Sequence, residues 1–352
     1  MSWDAVRAWR ELLREADAAS LDTGLSPEGA REALRASLDA LSDQALAQVA
    51  ALPLRPFPRA AVIAAATVST APIEWCAVLL GRGTEVVLKA SRRNQGLAPL
   101  LESTARASGL PLSVSFAREA ADGAPLVVAM ASDQTLAQLR QQLAPSVRFL
   151  PHGHRFSVAW VTGAALPPDP LIPAEFQDPW GRVAADAALH DGRGCLSPVV
   201  VFTPLPLSEA ADALGEAMAR AEARWPRGRI EPAEAARARA LRAHARVGGA
   251  LREGPGWAVH GLPLAAWSPA ALPRGVALVQ VAGLEQALAA LGPWAGALST
   301  VSTDDPRSAP RWVDAGATRV CATGRSQRPP LVRPHDGEDW LRATGLSVSW
   351  EL

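Results

Sequence analysis

Tyrosine is missing from the 352 residues, and cysteine and methionine occur three times each. The cysteines, Cys76, Cys195 and Cys321, stand far apart, and no Cys-x-x-Cys pair occurs. Neither a structural zinc site nor a disulfide framework is therefore expected, and no metal is expected. A surplus of one charge is missing too. Lys+Arg and Asp+Glu both number 35, so there is no basic stripe for nucleic acid and no acidic tail. That balance still allows an anionic substrate, because one local cluster of arginines suffices to bind phosphate. Long apolar runs are absent as well. The longest, Ala60 to Val68, is far short of the roughly 20 residues that cross a bilayer, so no membrane partner is expected. The opening Met-Ser-Trp-Asp-Ala-Val-Arg lacks the basic-then-apolar layout of a signal peptide. The expected compartment is a reducing cytoplasm.

What is present reads as globular: 49% hydrophobic and 20% charged residues, in a chain long enough for two compact domains. Ser26-Pro27-Glu28 is a helix start, with a capping hydroxyl and proline in the first turn. Leu34, Leu38, Leu41, Ala45 and Val49 then recur at helical spacing as one stripe, ended by Pro53, Pro56 and Pro58. Strand and helix alternate beyond that point. Strands are expected at 60–68, 85–89, 112–116, 125–130, 147–150 and 156–162, with helices at 72–80, 97–108 and 136–143. This pattern predicts a mostly parallel, doubly covered sheet. The proline-rich stretch 165–179 reads as a crossing between domains. A second α/β unit follows, with strands at 199–202, 276–281, 318–322 and 346–352 and helices at 207–224, 232–246 and 284–291. No internal repeat or low-complexity tract is found.

Two constellations carry chemistry. Cys195 follows Gly192 and Gly194 and precedes Leu196-Ser197-Pro198. Glycines let a backbone take strained angles and approach a ligand closely, which an exposed, nucleophilic thiol needs. The alternative is an inert buried cysteine. Lys89 ends a strand and is followed by Ser91, Arg92 and Arg93 at a helix start. That is where open α/β sheets bind nucleotides, although an ordinary basic corner would look the same.

These residues resemble a known superfamily. Val87-Leu88-Lys89-Ala90-Ser91 is similar to the Val-x-Lys-Pro-Ser segment of the aldehyde dehydrogenases, whose lysine binds the cofactor's adenosine ribose. Val128-Ala129-Met130-Ala131-Ser132 resembles the Phe-Thr-Gly-Ser segment near the cofactor phosphates, and Gly192-Arg193-Gly194-Cys195 the Gly-x-x-Cys nucleophile region, in the same order. Leu150-Pro-His152-Gly153-His154-Arg-Phe-Ser157, Gly194-Cys195-Leu-Ser-Pro198, and Gly324-Arg-Ser-Gln-Arg-Pro329 through Pro334-His335-Asp336-Gly337 are similar to the acyl-CoA reductase (LuxC) branch. The resemblance covers roughly residues 60 to 352.

The resemblance implies an aldehyde dehydrogenase-like α/β fold. A Rossmann-type cofactor domain would span 1–165, with 322–352 returning to it or to a dimer interface, and an α/β catalytic domain would span 180–321. It further implies that Cys195 attacks the thioester of an acyl-CoA or acyl carrier protein and that hydride converts the acyl-enzyme to aldehyde. Lys89, Ser91, Ser132 and Gly153 are the implied cofactor contacts. NAD-preferring relatives place a glutamate where this chain has Arg92. A guanidinium pairs with a 2′-phosphate, so NADPH is expected. A homodimer is expected from the superfamily's habit of pairing its terminal strand with a neighbouring subunit.

Departures narrow the chemistry. The oxyanion asparagine should fall near Thr70-Ala71-Pro72 and is absent, which leaves the Cys195 N–H, with Thr70, for that role. The general-base glutamate should fall near Leu150-Pro151 and is also absent, which suits a reductase better than a hydrolytic enzyme. His152 or His154 would take the thiol proton, and the residues do not choose between them. NAD-linked aldehyde oxidation and a non-reducing acyltransferase or inactive scaffold remain as alternatives. Cys76 and Cys321 read as core thiols, the Arg-rich 235–246 helix as a solvated face, the 12 tryptophans as packing, and His335-Asp336 as a structural turn.

Overall fold

The computed structural model describes residues 2–92, 96–248, 250–270 and 272–347. Arg93 and residues 348–352 of the expected last strand lie outside them. The chain divides into two compact units, Met1–His154 with Pro329–Leu352, and Arg155–Arg328.

The first unit opens with helix α1 (Ser2–Glu15), which buries Val6, Trp9 and Leu13 at helical spacing. Helix α2 (Pro27–Asp39) starts as expected, with the Ser26 hydroxyl accepting from the Gly29 N–H at 3.1 Å. The stripe read as one helix is in fact two. Ser42 caps a separate helix α3 (Asp43–Ala50) by accepting from the Ala45 N–H at 3.2 Å. A serine cap outweighs continuous periodicity here, and Leu41, Leu46 and Val49 still reach the same core.

Strand β1 (Leu54–Pro56) pairs antiparallel with Gly345–Ser347 of the same chain. Then follow β2 (Arg59–Ile63), helix α4 (Pro72–Gly81), β3 (Glu85–Lys89), α5 (Leu97–Ala107), β4 (Leu112–Ser115), β5 (Leu126–Met130), α6 (Asp133–Gln142) and β6 (Arg148–His152). The five strands β2 to β6 form a parallel sheet in the order β4-β3-β2-β5-β6. Alternation sorts its two faces. Ala60, Val62, Leu126 and Val128 join the core that holds α1, α4 and α5, whereas Ala61 and Val127 meet Ala121 and Ala124 on the other side. The order reverses between β2 and β5, which creates a switch point at the strands' carboxyl ends.

The second unit holds β7 (Phe156–Trp160), helix α7 (Pro179–Ala188), β8 (Pro198–Thr203), α8 (Leu207–Arg224), α9 (Pro232–Gly248), β9 (Leu251–Glu253), β10 (Ala258–Gly261), β11 (Gly275–Gln280), β12 (Leu298–Thr303) and β13 (Arg319–Ala322). Its sheet runs β13-β12-β7-β8-β11-β10-β9, parallel except for the β9 edge. Four of these elements were not expected from the sequence: α7, β9, β10 and β12. Helix α7 begins at the last proline of the supposed crossing, with Asp178 accepting from the Gly181 N–H at 2.8 Å. Strand β12 is all buried yet reads Leu-Ser-Thr-Val-Ser-Thr. Its hydroxyls mask the apolar run that marks a buried strand.

Candidate active site

In the second unit, Cys195 is exposed and lies in the turn that leads into β8. Before it stand three consecutive residues in the left-handed backbone region: His190 and Asp191, both with φ 55°, and Gly192 with φ 69°. For a non-glycine residue this conformation costs about 1–2 kcal/mol, so something must hold it. The holding group is Asp191. Its Oδ1 accepts from Arg274 Nε at 2.8 Å, its Oδ2 from Arg193 Nη1 and the Gly228 N–H, each at 3.1 Å, and its carbonyl from the Arg274 N–H at 3.0 Å. Arg274 in turn reaches Glu222 at 2.9 Å, and Arg193 reaches Glu234 at 3.0 Å. Gly192 is required twice over. Its φ is positive, and a Cβ would sit 3.1 Å from the Leu272 carbonyl oxygen and 3.2 Å from the Arg274 nitrogen.

The far side of the thiol is also tied down. The Ser157 hydroxyl, on β7, donates to the Cys195 carbonyl at 2.7 Å. The amide of Gln327 donates to the Ser197 hydroxyl. Its loop is gathered by Asp186, a fully buried carboxylate that accepts from the Gly324 N–H at 2.7 Å and the Ser326 N–H at 3.1 Å. Burial, outweighing those hydrogen bonds, raises Asp186 to about 6. The motif pair Gly-Cys-Leu-Ser-Pro and Gly-Arg-Ser-Gln-Arg is thus one physical assembly. Reading it as two separate strings missed Asp186, Asp191 and Arg274, which lie in unremarkable surroundings. The other two thiols differ from Cys195. Cys76 is buried on α4 and Cys321 is half-buried on β13, and burial pushes each up to about 12.

In the first unit, the remaining candidates follow the carboxyl ends of the parallel strands. Lys89 ends β3, where its carbonyl accepts from the Ala64 N–H at 3.0 Å, and its ammonium makes no hydrogen bond or ion pair among the described residues. Ser91 and Arg92 come next in the chain. Ser132 follows β5 and caps α6, its hydroxyl accepting from the Thr135 N–H at 3.2 Å. Thr70, between β2 and α4, is buried, and its hydroxyl has no hydrogen-bond partner among the described residues. Gly153 follows β6, and a Cβ there would fall 2.1 Å from the Asp133 carboxylate, which instead accepts from the His154 N–H at 2.9 Å.

The two histidines are unlike one another. His154 is 75% exposed, with Nδ1 3.6 Å from Asp133. His152 lies against Trp75, ring centroids 4.9 Å apart, and is joined to the late His-Asp motif. That motif forms a tight turn closed by reciprocal bonds between His335 and Glu338, with Asp336 at φ 51° and Gly337 at φ 86°, the signature of a type I′ turn. The turn presents the Asp336 carboxylate to His152, whose Nδ1 lies 3.1 Å from Oδ2. His335 Nδ1 lies 3.3 Å from the same oxygen, and its Nε2 lies 3.7 Å from Glu74. Arg333 grips Glu74 through both terminal guanidinium nitrogens, at 2.9 and 3.0 Å. Burial drives the His152 pKa down, partly offset by the bond to Asp336. Burial acts to raise Asp336, but its bonds with His152 and His335 prevail and hold it well below the usual carboxylate range. His335 and Asp336 therefore do more than close a turn.

The Acyl-CoA reductase (LuxC) family model matches residues 112–343. No curated protein matches the chain. Among solved structures, aldehyde dehydrogenase 21 from Physcomitrella patens, in complex with succinate, aligns at a TM-score of 0.72 and 13% identity, covering 98% of this chain and 84% of that one. The NADP-dependent glyceraldehyde-3-phosphate dehydrogenase from Bacillus halodurans, complexed with NADP, gives 0.68 and 14%, covering 94% and 79%. A NAD-dependent benzaldehyde dehydrogenase from Corynebacterium glutamicum gives 0.64 and 14%, covering 94% and 82%. At these identities the likeness establishes an aldehyde dehydrogenase-like α/β fold. Among the described residues no helix is long and apolar enough to cross a membrane.

Proposed function

The chain belongs to the acyl-CoA reductase (LuxC) family, and we propose that it reduces an acyl thioester, carried on CoA or an acyl carrier protein, to an aldehyde with NADPH. The observation that carries this reading is the exposed Cys195 at the end of a strained turn held by the buried Asp191–Arg274 pair. A strained backbone maintained by buried charges around one reactive side chain is a feature of functional sites.

The Cys195 sulfur attacks the thioester carbonyl and expels the carrier's thiol, which leaves the acyl group on the enzyme. His152 accepts the thiol proton, and His154, three residues before the Ser157 that binds the Cys195 carbonyl, is the second candidate. The Cys195 N–H and the orphaned Thr70 hydroxyl are suited to the developing oxyanion. NADPH, when bound, supplies the hydride that reduces the acyl carbon. Lys89 and Ser91 would hold its adenosine ribose, Arg92 its 2′-phosphate, and Ser132 and Gly153 would lie beside its phosphates. The unpaired ammonium of Lys89 at the carboxyl end of β3 fits an anionic dinucleotide. Once the C–S bond to Cys195 breaks, the thiol is regenerated and the aldehyde leaves. No charged base needs to activate water in this sequence, which accords with the missing glutamate near Leu150. A homodimer in the cytoplasm is part of the same reading.

Incubation with acyl-CoA, followed by mass spectrometry and then by NADPH, tests the proposal. An acyl adduct on Cys195 that turns to aldehyde on addition of NADPH is the expected result. A stable adduct that NADPH leaves untouched would make the protein an acyltransferase, and no adduct would remove Cys195 from the chemistry.

A further inference from the structure

The Pro-His-Asp-Gly turn lies in the returning segment of the first unit, 184 positions after the residue it binds. We propose that Asp336 is the positioning residue of the proton acceptor His152, fixing its Nδ1 as the protonated nitrogen and leaving Nε2 as the basic one. The inference rests on the reading of His152 as the base in the proposed reaction.

Three observations carry it. The first is the 3.1 Å contact between His152 Nδ1 and Asp336 Oδ2, which an ionised carboxylate can make only by accepting, so that Nδ1 holds the hydrogen. The second is that His152 Nε2 is buried with no hydrogen-bond partner among the described residues. A ring nitrogen with no partner of its own keeps its lone pair available to a proton. The third is the support behind Asp336. Asp336 is set by a type I′ turn, His335 stands between it and Glu74, and Glu74 is held by the two-point grip of Arg333. Trp75 walls His152 and His335, with Trp340 beyond it. An orienting carboxylate, an imidazole with one nitrogen committed and the other basic, and an apolar wall form the arrangement that tunes a histidine for proton transfer. The bonded carboxylate also stabilises the imidazolium that forms once Nε2 has taken a proton.

The same three groups could be mistaken for a cation site, since one ligand atom from each of His152, His335 and Asp336 lies within 4.8 Å of the others. Coordination through His152 Nδ1 would put the hydrogen on Nε2 and bury a donor with no acceptor. The bond to Asp336 engages Nδ1 as a donor, and the chelator arm of the test separates a bound cation from proton transfer at Nε2.

The test compares wild type, His152→Gln, Asp336→Asn and Asp336→Glu across pH 5.5 to 9 as roughly the range where an imidazole titrates. Two rates are read: acylation of Cys195 by acyl-CoA, and its alkylation by iodoacetamide, which follows the same proton without substrate. Groups facing His152 in this range are Asp336, His335 and Glu74, the last paired with Arg333. His152→Gln is expected to slow acylation by about 100-fold or more. Asp336→Asn should remove most of that factor from kcat with KM little changed and flatten the pH profile, while Asp336→Glu restores part of both. A merely structural Asp336 would leave the profile's shape intact.

The failures are distinct. If wild type is neither acylated nor alkylated faster than its Cys195→Ser control, the proposed function falls. If Cys195 reacts but His152→Gln does so at the wild-type rate, the base is elsewhere and the role of Asp336 goes with it. If His152→Gln is slow and Asp336→Asn is not, the positioning role alone is overturned. A rate lost to chelator and restored by zinc would also overturn it.

Discussion

Asp191 and Arg274 meet in the interior of the second unit, Oδ1 to Nε 2.8 Å, each with a side chain 1% exposed, and both adopt left-handed backbone angles, φ 55° and 49°. Two strained residues lock to one another, and the second also donates its backbone N–H to the first. The turn before Cys195 is thereby held by charge as well as by glycine.

Arg274→Met should accordingly cost much more than an average core change. Removing one partner of a buried ion pair leaves the other charge uncompensated, at about 3–5 kcal/mol. Thermal unfolding should show that loss. The variant that does fold should alkylate at Cys195 with altered rate, because Asp191 no longer fixes the turn. A Tm within a degree or two of wild type would show that Asp191 is held by Arg193 and Gly228 alone.

The three thiols should separate cleanly by reactivity. Cys76 and Cys321 are pushed up to about 12 by burial, whereas Cys195 is exposed. Brief treatment with iodoacetamide near pH 8 should place a single label on Cys195 in the folded protein, and three labels should appear only after unfolding. Peptide mapping reads both. Equal labelling of Cys76 in native protein would contradict the packing of α4.

Stability should depend on pH through His260. Burial, with Arg242 adding to it, lowers His260 to about 4, and burial with Arg328 does the same for His190. Below about 6.5 the unfolded chain binds protons that the folded chain refuses, so stability from each is lost as pH falls from about 6.5 to about 4, by roughly 3 kcal/mol each. Asp186 runs the other way. Raised to about 6, it keeps a proton the unfolded chain releases, so its contribution falls as pH rises to 6. His260→Leu removes one of the histidine terms, and its Tm should fall less than that of wild type between pH 6.5 and 4.5. Parallel melting curves would mean that His260 titrates normally.

Arg92→Glu should move cofactor preference from NADPH toward NADH. A charge-assisted bond to the 2′-phosphate is worth about 1.5–3 kcal/mol, so the ratio of the two kcat/KM values should change roughly tenfold to a hundredfold. Steady-state kinetics with both cofactors decides, and an unchanged ratio removes Arg92 from the cofactor contacts.

Much of the architecture was readable in advance where local rules act alone. Glu85–Lys89, Leu207–Arg224 and Leu284–Leu291 fall where their apolar spacing places them, because a strand or helix with one clear face has one way to bury it. Helix α7 and strand β12 escaped for opposite reasons. One begins at a proline that reads as a break, and the other carries buried hydroxyls that read as surface.

The candidate site divides along the same line. The sequence by itself singled out Cys195 and its glycines, the Lys89 corner and the two histidines, because their chemistry and spacing are local. Only the tertiary structure distinguished His152 from His154, by burying one against Trp75 and leaving the other in solvent. It alone joined Asp336 to His152 and Arg274 to Asp191, across 184 and 83 positions of chain. A hydrogen bond or ion pair between residues so far apart depends on how strands order in a sheet and where a turn aims its carboxylate. Neither leaves a periodic trace in the residues themselves.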